Sequence, residues 1–392
     1  MLNSVINRYK NIEFTGSNGR IDALDLYRFI AIVLMIQGHS IFAFAVPEYI
    51  DANKAGWDIW TFIRGLTAPI FMMISGAVNV FATKRLPDGT IDNKKILKRI
   101  RTAVILLFVA YVMSFPAASL RHLDTFTDEF WTIFYQTNIL HITAICLLIL
   151  QVFYKIAKND KELLTYTLMF SFFALLISWF IQKYDWYAIL PEILAPYLSY
   201  ERGSIYTMFP VSSYFFFGVS AGIYLRNTPK NLLFEAIFSK GLKLGIALII
   251  IGVPAFNIIN GVETNYRQIS LINPGGIVMR IGIVITAFPL IILLNEKIKK
   301  FSWLYLTLSK KSFFLFVIHI LIIYGSAVFR GLNYVWNQNL TGWKLIASAI
   351  LVELLSLSIA YYYNKTVKFL PSIRYAYLSI IIMITIMINL TY

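Results

Sequence analysis

Residues 20–46 read RIDALDLYRFIAIVLMIQGHSIFAFAV, a charged start that leads into a long apolar stretch. About twenty such residues in a helix cross the roughly 30 Å hydrocarbon core of a bilayer. Backbone N–H and C=O groups in lipid must form their hydrogen bonds within the segment, and the alternation of apolar and polar residues typical of barrel strands is absent. We therefore predict helices. Spans of this kind are predicted at about 24–46, 60–82, 100–119, 130–154, 163–182, 206–225, 242–260, 276–295, 304–329, 343–363 and 375–391.

The composition excludes a soluble protein. Hydrophobic residues make up 58% of the 392 residues, and charged residues only 14%. In a soluble domain the charged fraction is about one quarter. We therefore predict an all-α, polytopic membrane protein of about eleven transmembrane helices. Residues 1–22 are polar and lack the apolar core of a signal peptide, so we expect a cytoplasmic tail, followed by one transmembrane domain over residues 23–392.

The distribution of Lys and Arg predicts the orientation. Of the 35 basic residues, 25 lie in the tail and alternate loops, 9 lie on the opposite side, and Arg28 lies within the first span. Because cytoplasmic loops are enriched in Lys and Arg, the amino terminus is predicted to be inside. The same enrichment accounts for the net charge of +15, so nucleic acid is not an expected partner, whereas the lipid bilayer is.

Ionisable residues at membrane depth are costly and are therefore functional candidates. Arg28 and His39 are eleven residues apart. In a helix this spacing puts them on one face, about 20° apart around the axis and roughly 16 Å apart along it. Asp25 can pair with Arg28 on the neighbouring turn. This arrangement suits an anionic substrate that is held by Arg28 near the inner membrane surface. A neutral imidazole in the outer half of the bilayer can then act as general base. The alternative is that Asp25 and Arg28 anchor the helix and His39 bonds a neighbour.

Other polar residues in the spans are His141, His319 and Glu353. The histidines lack an HExxH pattern or acidic partners at ligand spacing, so no metal is expected. Glu353 is predicted to be either a buried counter-ion or a catalytic group. The single cysteine, Cys146, is predicted to be packed as a small apolar residue.

A basic segment, residues 94–101, KKILKRIR, precedes the third span. Its cations Lys98, Arg99 and Arg101 suit the phosphates of a nucleotide-like molecule. The general enrichment of Lys and Arg in cytoplasmic loops, and contacts with anionic lipid headgroups, explain the same residues equally well.

Six blocks of the chain, in order, resemble the transmembrane acyltransferase superfamily, which includes the acyltransferase-3 family. The similarity is greater to the bacterial branch of the heparan-alpha-glucosaminide N-acetyltransferase-like (DUF1624) proteins. The blocks are residues 20–28 with His39, 64–76 (RGLTAPIFMMISG), 138–145 (NILHITAI), 209–218 (FPVSSYFFFG), 273–280 (NPGGIVMR) and 312–319 (SFFLFVIH). Two features depart from the family: Phe29 replaces the usual glycine, and the first outer loop, residues 47–57, has no histidine.

The resemblance implies an acyltransferase that moves an acetyl group from cytosolic acetyl-CoA, or a related acyl-CoA, to a sugar amine or hydroxyl across the membrane. It also implies a bacterial inner-membrane location, and it leaves homo-oligomerisation open. His39 is then expected to be the general base, and Arg28 and Asp25 are expected to order either the donor or the base. His141, His319 and Arg280 are expected to line the site, and Lys98, Arg99 and Arg101 to contact the CoA phosphates.

Two other functions compete with this interpretation. A proton-coupled transporter or flippase of a glycan or lipid-linked sugar would use Asp25, Glu353 and the histidines as a proton relay. A non-catalytic scaffold would pair its intramembrane polar residues with one another and leave no cavity.

Overall fold

The computed structural model describes residues 21–51, 56–86, 88–116, 126–262 and 273–369. These residues form an all-α protein. Its helices are α1 (Asp22–Phe44), α2 (Trp57–Arg64), α3 (Thr67–Phe81), α4 (Asn93–Ser114), α5 (Asp128–Tyr135), α6 (Ile139–Ile156), α7 (Asp160–Ile181), α8 (Met208–Asn227), α9 (Leu242–Val262), α10 (Pro274–Lys297), α11 (Ser302–Ser309), α12 (Ser312–Tyr324), α13 (Leu332–Trp336) and α14 (Gly342–Phe369). A helical stretch, Leu233–Glu235, enters α9 through a π-helical turn, Ala236–Gly241, and a small hairpin pairs β1 (Gly325–Ser326) with β2 (Phe329–Arg330).

Eight helical segments in the described part of the chain are long and apolar enough to cross a membrane. They are Asp22–Phe44, Trp57–Phe81, Ile139–Ile156, Asp160–Ile181, Met208–Asn227, Lys230–Gly261, Pro274–Lys297 and Gly342–Tyr363. A ninth span is added if the helices on either side of a 72° bend, Lys299–Ser309 and Ser312–Tyr324, cross together. The protein is therefore a multi-pass membrane protein.

Two of the eleven predicted spans are not among these segments. The third predicted span, at 100–119, corresponds to α4, which runs from Asn93 to Ser114. The first turns of α4 are basic, so its apolar part is short for a membrane span. The eleventh, residues 375–391, lies outside the described residues.

Two predicted spans have interruptions that the hydropathy pattern does not show. The span at 130–154 is divided between α5 and α6, because Asn138 starts a new helix by accepting the Leu140 N–H at 2.9 Å. The span at 304–329 bends before α12 and ends at Tyr324. Gly325 then has φ 88°, a conformation open mainly to glycine, and starts the hairpin.

The helices group into two compact units. The described residues of the first unit fall within Met1–Arg28, Ala68–Tyr111 and Tyr135–Ser302, and those of the second within Phe29–Thr67, Val112–Phe134 and Trp303–Tyr392. Within the first unit, α3 and α8 cross at Gly76 and Gly218. A Cβ added at either glycine would overlap the backbone of the other helix, so the crossing requires glycine.

The block NPGGIVMR has a structural explanation in the first unit. Asn273 is fully buried, caps α10 by accepting the Gly276 N–H at 3.2 Å, and donates to the Phe256 carbonyl at 3.1 Å. Pro274 occupies the first helical position, where its missing N–H costs nothing. A Cβ at Gly275 would overlap the backbone of α9, so this glycine permits close packing.

An ionic cluster ties the ends of several helices together in the same unit. Asp160, the first residue of α7, contacts Arg226 at 2.6 Å and Arg85 at 3.2 Å. Arg226 also donates to the carbonyls of Val80 and Thr83, both at 2.7 Å. One carboxylate thus anchors α8 and the loop after α3 to the start of α7.

In the second unit, α1, α12 and α14 share an apolar core. Its fully buried members include Ile32, Ile36, Leu315, Ile323 and Val352. This packing fixes α1 against α12 and positions the polar side chains that these helices carry. Cys146, in the first unit, is buried, as expected of a packed small residue.

Candidate active site

His39 and His319 form a hydrogen-bonded pair in the second unit. The Nδ1 of His39, on α1, lies 2.9 Å from the Nε2 of His319, on α12. Their rings are nearly parallel, with an interplanar angle of 11°. His319 is completely buried, whereas His39 is only partly buried. The sequence named both residues, but the contact between them depends on tertiary packing.

The hydrogen bonds determine the tautomers of this pair. The Nδ1 of His319 lies 2.8 Å from the Leu315 carbonyl oxygen, which can only accept, so this nitrogen carries the proton. In the neutral ring the Nε2 of His319 is then an acceptor, and the Nδ1 of His39 must donate to it. The remaining lone pair of neutral His39 is on Nε2, so this nitrogen can accept a proton.

Arg64 lies along α1 beside the turn that carries His39. Its guanidinium carbon is 4.8 Å from the ring centre of Phe42 and 5.1 Å from that of Trp60. A Cβ added at Gly38 would lie 2.8 Å from the Arg64 Cγ, so the absence of a side chain there admits the arginine. The sequence assigned Arg64 no role. The signal that could have found it is its position in the block RGLTAPIFMMISG.

An aromatic residue and a polar pair also lie near His39. Tyr324, at the end of α12, places its ring edge-on to His39 with 6.5 Å between centroids. Gln37 donates through Nε2 to the Glu353 carboxylate of α14 at 2.8 Å. The side-chain partner of Glu353 within the described ranges is therefore an amide. No histidine or other cation pairs with it there, as a counter-ion role would require.

The other predicted site residues belong to the first unit. Asp25 is buried and Arg28 partly buried, and both lie on α1. Arg280, on α10, is partly buried. The expected pairing of Asp25 with Arg28 stays a prediction.

The basic residues proposed for the CoA phosphates lie on the first turns of α4. Lys98 and Arg101 are exposed and Arg99 is partly buried. Their exposure suits either a phosphate or a lipid headgroup, so the role of this segment stays a prediction. A fourth histidine, His122, which the sequence places in an outer loop between two predicted spans, lies outside the described residues.

His141 is completely buried in the first turn of α6. Its Nδ1 accepts the Asn138 backbone N–H at 3.2 Å, and Asn138 in turn caps the helix. The ring of Tyr111 lies 4.5 Å away and that of Tyr197 6.0 Å away, both edge-on. Among the described residues, no group of three His, Cys, Asp or Glu side chains is arranged to hold a metal ion.

Comparison with known proteins identifies the family. Residues 20–258 match the family model described as heparan-alpha-glucosaminide N-acetyltransferase, catalytic. The chain belongs to this family. The matched region contains His39, Arg64 and His141, and it ends before His319. No match was found among curated proteins or among solved structures.

Membership of the heparan-alpha-glucosaminide N-acetyltransferase family confirms the family resemblance, and it points to a membrane-embedded N-acetyltransferase. Four of the six blocks lie within the matched region, and the blocks at 273–280 and 312–319 lie beyond it. The relation to the acyltransferase-3 family stays an expectation.

Proposed function

We propose that this heparan-alpha-glucosaminide N-acetyltransferase family member transfers an acetyl group from cytosolic acetyl-CoA to a sugar amine or hydroxyl on the outer side of the membrane. His39 is the general base in this proposal. The supporting observation is the hydrogen-bonded series from the Leu315 carbonyl through His319 to His39, which leaves the Nε2 lone pair of His39 available.

The chemistry requires one positioned base and an activated donor. As the acceptor nitrogen or oxygen bonds to the thioester carbonyl carbon, its proton passes to the Nε2 of His39. The carbon–sulfur bond then breaks, and the departing thiolate takes that proton to give free CoA. His319 stabilises the transient imidazolium of His39, because its Nε2 accepts the hydrogen bond from the His39 Nδ1–H.

The residues proposed to bind the donor, acetyl-CoA, are chosen mainly by their charge. Lys98, Arg99 and Arg101 are proposed to contact the phosphates of acetyl-CoA, and Arg28, Asp25 and Arg280 to order the donor. We also propose that these cations face the cytoplasm, as the charge bias of the loops indicates. The proposed topology has a cytoplasmic tail over residues 1–22, one transmembrane domain over residues 23–392 and eleven spans in all. The proposed location is a bacterial inner membrane.

The test uses purified protein in proteoliposomes with acetyl-CoA outside and glucosamine inside, or the reverse. Release of CoA and formation of the acetylated sugar are measured for the wild type, His39→Ala and His122→Ala. We expect His39→Ala to lose about 100-fold or more in rate, the usual contribution of a general base. His122→Ala is the matched control, since this histidine lies outside every predicted span. Full activity of His39→Ala would refute the assignment of the base.

The same vesicles test the transporter alternative. A proton-coupled transporter would move sugar and protons in the absence of acetyl-CoA, and the movement would depend on Glu353. Sugar uptake without acetyl-CoA, together with no CoA release when it is present, would contradict the proposed enzyme.

A further inference from the structure

His141 has a hydrogen-bond donor that no described residue satisfies. Its Nδ1 accepts a backbone N–H from Asn138, so the proton of the neutral imidazole is on Nε2. The side chain is 0% exposed, and its Nε2 has no hydrogen-bond partner among the described residues. A buried unsatisfied donor costs about 1–3 kcal/mol, so such groups usually meet an acceptor.

Two tyrosine rings pack against the imidazole of His141. Tyr111, on α4, and Tyr197 bond to each other through their hydroxyls at 3.0 Å. Both rings stand nearly perpendicular to the imidazole, at 78° and 85°. Thr137 lies beside the turn that carries Tyr197, with its hydroxyl 2.8 Å from the Pro196 carbonyl oxygen. The described ring neighbours of His141 are thus aromatic and uncharged.

These features define the chemical class of the missing acceptor. A cation is excluded, because the Nε2–H of His141 repels it. A buried anion would be costly, since the neutral imidazole and the two phenol rings supply no compensating charge. A neutral carbonyl oxygen satisfies the donor and packs against the rings.

We propose that His141 donates from Nε2 to the thioester carbonyl oxygen of bound acetyl-CoA, with Tyr111 and Tyr197 packed beside the acyl group. The inference rests on the proposed function, which supplies the ligand, and deepens it by assigning the residue that recognises the acyl carbonyl.

A pair of substitutions separates the two nitrogens of His141. His141→Asn keeps an acceptor at the position of Nδ1, which caps the Asn138 N–H, and loses the distal donor. His141→Gln keeps a donor near the position of Nε2 and loses the capping acceptor. A purely structural histidine would make His141→Gln the less stable variant and would leave ligand binding by His141→Asn unchanged.

The measurement compares the affinity for acetyl-CoA with that for S-ethyl-CoA, a thioether that lacks the thioester carbonyl. We expect the wild type to prefer acetyl-CoA by about two- to tenfold, the contribution of one hydrogen bond. His141→Asn should lose this preference, and His141→Gln should keep most of it. Equal binding of the two compounds by the wild type, or a preference retained in His141→Asn, would overturn the inference and leave the proposed function intact. Binding of neither compound would overturn both.

Infrared spectroscopy on the wild type provides an independent result if the variants do not fold. The carbonyl stretch of bound acetyl-CoA, labelled with ¹³C at the thioester, should lie at or below its frequency in water. A higher frequency, as in an apolar solvent, would show that the carbonyl accepts no hydrogen bond and would refute the role of His141.

Discussion

The Nδ1 of His39 and the Nε2 of His319 are 2.9 Å apart, although 280 residues separate them in the chain. Because the Leu315 carbonyl fixes the proton on the other nitrogen of His319, the direction of this hydrogen bond is determined. His319 therefore acts on His39 as an acceptor, and it is a positioning residue in the proposed reaction.

Variants of His319 test this positioning role. His319→Gln can place an amide oxygen near the position of Nε2 and accept from His39, whereas His319→Asn is too short to do so. We expect His319→Asn to lower kcat by about tenfold or more, equivalent to about 1.4 kcal/mol, and His319→Gln to restore much of it. Similar losses in both variants, with unchanged thermal stability, would contradict the acceptor role.

Substitution at Gly38 should displace Arg64. An alanine in a helix is ordinarily more stable than glycine by roughly 0.5–1 kcal/mol. At Gly38 the added Cβ would lie 2.8 Å from the Arg64 Cγ, so Gly38→Ala is expected to lower both the melting temperature and the rate of CoA release. Gly261→Ala is the matched control, because nothing lies within 4 Å of a Cβ there. A Gly38→Ala protein as stable and active as Gly261→Ala would show that the fit of Arg64 to α1 is unimportant.

The Asp160 cluster should contribute more to stability than an exposed ion pair. Asp160→Asn leaves two partly buried guanidinium groups without a counter-charge, and we expect a loss of about 2 kcal/mol in unfolding free energy. Glu192→Gln removes an ion pair with Arg202 whose side chains are 54% and 43% exposed, and should cost less than about 1 kcal/mol. Denaturation of both variants in the same detergent gives the comparison. Equal losses would mean that the cluster is as weak as a surface pair.

Glu353 distinguishes an enzyme from a proton-coupled transporter. Its carboxylate accepts a hydrogen bond from the Gln37 amide at 2.8 Å, and a glutamine side chain can accept the same bond. Glu353→Gln is therefore expected to retain acetyl transfer within about twofold, because a neutral acceptor preserves a bond of about 1 kcal/mol. Loss of function in Glu353→Gln, with Glu353→Ala folding normally, would indicate that the carboxyl group must ionise.

Much of the architecture could be predicted from residue order alone, because lipid requires apolar helices of a minimum length. The first span was predicted at about 24–46 and is Asp22–Phe44, and the eighth was predicted at 276–295 and is Pro274–Lys297. The interruptions after Tyr135 and before Ser312 were missed, because they depend on a capping Asn138 and on a bend between two helices, and neither lowers the mean hydropathy.

The candidate site divides in the same way. The sequence by itself determined the membrane class, the family and the histidines at membrane depth, since each follows from residue type and spacing. Only the tertiary structure decided that His39 pairs with His319, that Arg64 lies against Gly38 and that Glu353 bonds Gln37. The physical reason is that a hydrogen bond depends on atomic distance and direction, and these are set when α1, α12 and α14 pack around their shared apolar core.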